Sequence, residues 1–152
     1  MPNLTIYSPL GPLCLTEEAG AITRLMWGVG NHDETPVLLE AKRQLAAYFY
    51  SELERFDLPL APDVSQPHTR VLDVMRQIPF GETKTYGDLS KATGLPAQAV
   101  GQACGANPIA ILIPCHRVTG TGPGKLGGFS APGGVETKIA LLKHENAYSL
   151  LI

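Results

Sequence analysis

Among the 152 residues, the group best suited to chemistry is Pro114-Cys115-His116-Arg117, which ends the apolar run Ile111-Leu112-Ile113. Aliphatic residues followed by proline read as a buried segment that stops abruptly, so the cysteine stands at the end of rigid, packed structure. Thiolate is the reactive form of cysteine, and a nearby imidazole or cation raises its population at neutral pH. The tetrad therefore offers a nucleophile with a base and a cation beside it. The plainer reading makes Cys115 a small hydrophobe next to two surface residues. Glycine-rich sequence on both sides, Gly105-Ala106-Asn107-Pro108 before it and Gly127-Gly128-Phe129-Ser130 after it, favours the reactive reading.

The elements that must hold this tetrad are readable in outline. Leu4 to Tyr7, Leu13 to Thr16 and Ile22 to Trp27 are β-forming runs separated by turn residues, an antiparallel meander. From Pro36 the apolar residues Val37, Leu38, Ala41, Leu45, Tyr48 and Phe49 recur at three- and four-residue steps, which predicts an amphipathic helix to about Leu53. Phe56 to Pro62 reads as a proline-punctuated linker. Val71, Leu72, Val74, Met75 and Ile78 predict a helix ending before Pro79. Thr85, with Asp88 three residues on, reads as a variant capping box. Its short helix to Ala92 stops at Gly94, and Pro96 opens another from Ala97 to about Gly105. Helix, glycine turn, helix is the helix-turn-helix pattern. The expected architecture is a small α/β domain over 1–64, antiparallel strands plus a helix. A mostly α domain with a helix-turn-helix follows over 65–152.

Composition sets limits on function. Hydrophobic residues at 44% and charged residues at 17% fit an ordinary globular core. No apolar run approaches the roughly 20 residues that span a bilayer, and the N-terminus lacks the features of a signal peptide. An intracellular, cytoplasmic protein without a membrane partner is expected. Cys14, Cys104 and Cys115 are too few and too scattered for a disulfide framework, which suits a reducing compartment. No Cys-x-x-Cys or His-x-x-x-His pair suggests zinc, and no metal site is assigned. Residues 1–66 hold four Lys/Arg against nine Asp/Glu, and residues 67–152 hold eight against five. The net charges, −5 and +3, fit a protein whose second half meets phosphates, with a modest electrostatic share.

Pro114-Cys115-His116-Arg117-Val118 resembles the active-site signature of the O6-alkylguanine-DNA alkyltransferases. Matching pieces are Pro79-Phe80-Gly81-Glu82 with Tyr86, Ala99-Val100-Gly101, Asn107-Pro108 and Leu141-Leu142-Lys143-His144-Glu145. The likeness is dense from about 67 to 147 and looser before. It implies repair of double-stranded DNA carrying O6-alkylguanine. The nucleotide is flipped out through the minor groove, and its alkyl group passes irreversibly, once per molecule, to Cys115. His116 would act as base through a water, oriented by Glu145, and Asn107 would brace the turn before the active-site segment. Tyr86 would donate to the base's N3, backbone carbonyls of Cys115 and Val118 would hold its exocyclic amine, and the Phe129-Ser130 loop would close over the alkyl group. Arg117 would either contact substrate or pair with a carboxylate and fix the tetrad. His144 reads as structural. No cofactor is implied, and a monomer is expected. Some relatives carry zinc, for which Cys14, His32 and His68 would be the residues to consider.

The low bulk of Ala97, Ala99, Gly101, Ala103 and Gly105 admits two explanations, close packing against a neighbour or a thin helix that fits the minor groove. The resemblance favours the second, with Thr85, Gln98, Ala99, Gly101 and Ala103 at the DNA. One departure stands out: the family's usual arginine before Ala-Val-Gly is Gln98 here, with no charge and no guanidinium plane to stack. The loop from Phe129 to Gly134 is also longer than the family's shortest. Two further readings are a DNA-lesion-binding protein of the alkyltransferase-like kind, which lacks the acceptor cysteine, and an unrelated cysteine hydrolase using Cys115 and His116.

Overall fold

The computed structural model describes residues 1–121 and 125–148. The chain divides into two compact units, Met1–Asp63 and Val64–Ile152.

In the first unit β1 (Asn3–Ser8), β2 (Gly11–Glu18) and β3 (Ala21–Trp27) form an antiparallel sheet in the order β1-β2-β3. Helix α1 (Pro36–Phe49) begins where the Thr35 hydroxyl accepts the Leu38 N–H at 3.2 Å. Leu38, Ala41, Leu45 and Tyr48 recur at helical spacing and are fully buried, as are Leu13, Leu15 and Ile22 of the sheet. Burial of such a stripe, not propensity, stabilises a helix of this length. The helix ends at Phe49 rather than near Leu53, because Ser51 turns into the left-handed region at φ +60°. The expected linker is also different. Pro59 accepts the Ile22 N–H at 2.8 Å, and the Ala61 N–H returns to the Ile22 carbonyl at 2.8 Å, so this segment straps the open edge of β3. Leu58 is buried beneath it. Prolines suit this position, since an edge can forgo their missing N–H groups.

In the second unit α2 (Gln66–Met75) packs with α3 (Tyr86–Thr93) and α4 (Ala97–Gly105), the last two forming the helix-turn-helix. Helix α2 ends at Met75, three residues short of Ile78, whose side chain is nevertheless buried. The Thr85 hydroxyl accepts the Asp88 N–H at 3.0 Å and Asp88 accepts the Thr85 N–H at 2.9 Å, a reciprocal cap. Gly94, at φ +74°, takes the left-handed position that ends α3. Two two-residue strands, β4 (Lys84–Thr85) and β5 (Val118–Thr119), pair in parallel. They are too short to show periodicity in the sequence, yet they tie the start of α3 to the segment after the Pro-Cys-His-Arg tetrad. Helix α5 (Val135–His144) packs against the turn that contains this tetrad. Among the described residues no helix is long and apolar enough to cross a membrane.

Candidate active site

Cys115 sits at the end of a segment folded twice by one-residue turns. The Leu112 N–H reaches the Ala110 carbonyl at 2.9 Å around Ile111, whose φ is +73°. This is the rare left-handed γ-turn, and a β-branched residue in it costs on the order of 1–3 kcal/mol. At Pro114 (φ −82°, ψ 67°) the common inverse γ-turn lets the Cys115 N–H reach the Ile113 carbonyl at 2.8 Å. Asn107 braces the fold: its amide nitrogen donates to Ile113 at 2.9 Å and its oxygen accepts the Ile109 N–H at 3.0 Å. The same side chain hydrogen-bonds toward the Cys115 sulfur. Residues 115–117 then form one 3-10 turn. The apolar run is therefore buried, as its composition implies, but it is a chain of turns and not a strand.

That turn directs His116 and Arg117 into the protein. His116 Nε2 lies 2.7 Å from Glu145, and Arg117 contacts the same carboxylate at 2.8 and 3.0 Å. Arg117 also donates to the Ile78 carbonyl at 2.7 Å. All three side chains are buried. Burial would raise the Glu145 carboxyl, but the bonds and charges of His116 and Arg117 outweigh it and hold the group at about 2. Burial pushes His116 below its ordinary value, so it rests as neutral imidazole at pH 7. An anionic partner fixes the proton on Nε2. Nδ1 is then the lone-pair nitrogen, and among the described residues it is the buried side-chain nitrogen or oxygen with no hydrogen-bond partner. Burial likewise raises the Cys115 thiol, opposed by Asn107 and the charge of Lys138.

Cys115 opens onto a cavity of about 350 Å3. Tyr86 lines it from the start of α3, Gly101, Cys104 and Gly105 from α4, and Gly128, Phe129 and Ser130 from the loop before α5. Burial and the two neighbouring cysteines push the Tyr86 hydroxyl up to about 12, so it is a donor at any ordinary pH. Gly127, at φ +77°, lies flat against it: a Cβ there would stand 2.5 Å from the Tyr86 hydroxyl. A Cβ built on Gly101 or Gly105 meets nothing within 4 Å, so close packing does not account for these glycines.

Cys115, His116, Glu145, Asn107, Tyr86 and Ser130 thus gather at one place. Arg117 does not line the cavity, because a buried guanidinium needs its carboxylate. The Val118 carbonyl already accepts from Lys138 at 2.7 Å. Gln98 is exposed on the first turn of α4, and Ala99 and Gly101 are half-buried. Ala103, expected at the DNA, is 1% exposed and packs with Val100 and Cys104 inside the unit, which corrects that expectation. Thr85 spends its hydroxyl on the helix cap. Among the described residues no three His, Cys, Asp or Glu side chains are grouped to hold a metal ion.

The residue that sequence reasoning missed is Lys138. It is fully buried, with its ammonium donating to the carbonyls of Val118, Leu126 (2.5 Å) and Gly128 (3.2 Å). Burial lowers it to about 8. The signal was available: Lys138, Leu141, Leu142 and Glu145 fall at i, i+3, i+4 and i+7, so both charges occupy the inward stripe of α5.

A helix-turn-helix unit carrying a covered cysteine beside a His-Glu pair has the parts that group transfer from DNA requires. The family comparison agrees: residues 66–147 match the 6-O-methylguanine DNA methyltransferase DNA binding domain, and residues 4–62 match that family's ribonuclease-like domain. The chain belongs to the 6-O-methylguanine DNA methyltransferase family. It is 40% identical over 151 residues to the methylated-DNA–protein-cysteine methyltransferase of Methanosarcina acetivorans, covering 92% of this chain and 95% of that one. It is 42% identical over 130 residues to the constitutive enzyme of that name from Bacillus subtilis, covering 76% and 79%. The structure of Mycobacterium tuberculosis OGT in complex with DNA superposes with a TM-score of 0.85 at 39% identity, covering 96% of this chain and 93% of that one.

Proposed function

We propose that this protein repairs double-stranded DNA by taking the alkyl group from O6 of an extruded guanine onto Cys115, once per molecule. The observation that carries the reading is a covered thiol opening on a nucleobase-sized cavity, beside a neutral imidazole whose free nitrogen is Nδ1. His116 Nδ1 takes the thiol proton through a water. Sγ then attacks the alkyl carbon, the bond from that carbon to O6 breaks, and Tyr86 donates to N3 as negative charge builds on the guanine. Glu145 keeps the imidazole in the required tautomer and balances the proton it gains. The second lone pairs of the Cys115 and Val118 carbonyls receive the exocyclic amine, and Ser130 closes the cavity at O6. The unfilled space over Gly101 and Gly105 supports close approach of α4 to the minor groove, with Gln98 and Ala99 on that approach. Residues 1–64 serve as scaffold and 65–152 hold the DNA and accept the alkyl group. The protein acts as a monomer in the reducing cytoplasm, where Cys115 stays a thiol.

The test is the intact mass of the protein after incubation with a duplex containing one O6-methylguanine. A stoichiometric gain of one methyl group, absent in Cys115→Ser, is expected. Binding without mass gain would replace this reading with that of a lesion-binding protein, and Gln98 would be the residue to explain. Gln98→Arg should accelerate transfer from duplex DNA; an unchanged rate in a folded variant would dismiss any handicap from the glutamine.

A further inference from the structure

We infer that Lys138 is a positioning residue, whose ammonium ties the cavity-closing loop to the strand leaving the reactive turn. This rests on the alkyl-transfer reading of Cys115. Burying an ammonium is costly, and a fold keeps one only where its donors are all used. Here they are: one hydrogen bond to Val118 in β5, and two to Leu126 and Gly128 in the loop. Gly128 and the two residues after it line the cavity, and Leu126 packs on the Leu142–Ala147 cluster at the end of α5. The ends of the loop have ties of their own, Lys125 accepting the Gly120 N–H at 2.7 Å and Pro132 accepting the Thr137 hydroxyl at 2.6 Å, and the Lys138 ammonium holds the stretch between them. Gly127 and Gly128 have no side chains to pack, and Gly128 has nothing within 4 Å of a Cβ built on it. Three carbonyls converging on one nitrogen therefore set how far Phe129 and Ser130 stand from the Cys115 sulfur. Lys138 acts through the loop and contacts no reacting atom.

The test compares wild type with Lys138→Met, similar in length without donors, and Lys138→Gln, which keeps N–H donors without the charge. Three quantities are read on folded protein: cleavage by trypsin after Lys125 and by chymotrypsin after Phe129, transfer from O6-methylguanine duplex, and labelling of Cys115 by iodoacetamide. In Lys138→Met, native-state cleavage should accelerate by about tenfold or more as the loop opens. Transfer should fall by on the order of 10²-fold from misplacement alone. Labelling by the small reagent should hold or rise, since it needs no closed loop. Lys138→Gln should recover loop protection and transfer together, in part. The inference is overturned if labelling falls as far as transfer while cleavage stays at the wild-type rate, which would make Lys138 an activator of the thiol. It is equally overturned if transfer recovers in Lys138→Gln with the loop still open. Should wild type transfer nothing, the reading of Cys115 fails, while the cleavage comparison still decides the tie.

Discussion

Glu145 serves two neighbours at once, and its removal should separate their roles. Glu145→Gln leaves an acceptor for His116 Nε2 but strips Arg117 of its counter-charge within a buried site. Loss of one partner from such a pair costs about 3–5 kcal/mol, to be read as a lower urea midpoint. The pH dependence has a definite sign. Glu145 sits at about 2 folded against 4.5 for an ordinary glutamate, so the unfolded chain holds more protons between those values. Its contribution is complete above 4.5 and disappears as pH falls through about 2. The shift corresponds to about 3 kcal/mol. Glu145→Gln should flatten the stability curve across that acid interval, and a variant as acid-sensitive as wild type would place the titration elsewhere. Of the residues gathered around the cavity, Cys115 stood out in the sequence by its tetrad, whereas His116, Asn107, Tyr86 and Glu145 were picked out because their short blocks resemble those of the alkyltransferase family. Lys138 was not, since lysine on a helix is usually solvated and only its place in the inward stripe betrays it.

At the level of elements, local signals were read well and long-range ones poorly. The capping box at Thr85, the stop at Gly94 and the helix opened at Pro96 are each decided within a few residues, and each stands as its sequence implies. The β4–β5 pair and the strap along β3 depend on partners 34 and more residues away, which no local pattern encodes. The left-handed turn at Ile111 runs against local preference and is held by what surrounds it. Two variants probe elements. Thr85→Ala should lower stability by about 1 kcal/mol through loss of the cap. It should also slow transfer, because Tyr86 is the first residue of the helix it caps; equal transfer rates would separate the cap from the site. Gly127→Ala combines a strained φ with a collision at the Tyr86 hydroxyl. It should cost on the order of 1–3 kcal/mol and depress transfer well beyond what that destabilisation explains, measured below the melting temperature.

Over the whole molecule, formal charge overstates the attraction to DNA. Of the eight Lys/Arg after residue 66, Arg117 is neutralised by Glu145 and Lys138 is consumed by carbonyls. The remainder, Arg70, Arg76, Lys84, Lys91, Lys125 and Lys143, are exposed with Asp73, Glu82, Asp88 and Glu136. Few phosphates can be neutralised, so log K against log salt should have a shallow slope of about −2 to −4, measured by titration at several salt concentrations. A slope near −8 would mean that cations outside this count engage the duplex. The distance along the chain between His116 and its carboxylate has a consequence of another kind. Glu145 follows His116 by 29 residues. During synthesis Cys115 is therefore made well before the group that tunes its neighbour, and the imidazole has no fixed tautomer until α5 has formed and docked. An unfinished chain carries an ordinary cysteine. On the once-per-molecule reading proposed above, the protein is in this way kept from being spent before it is whole.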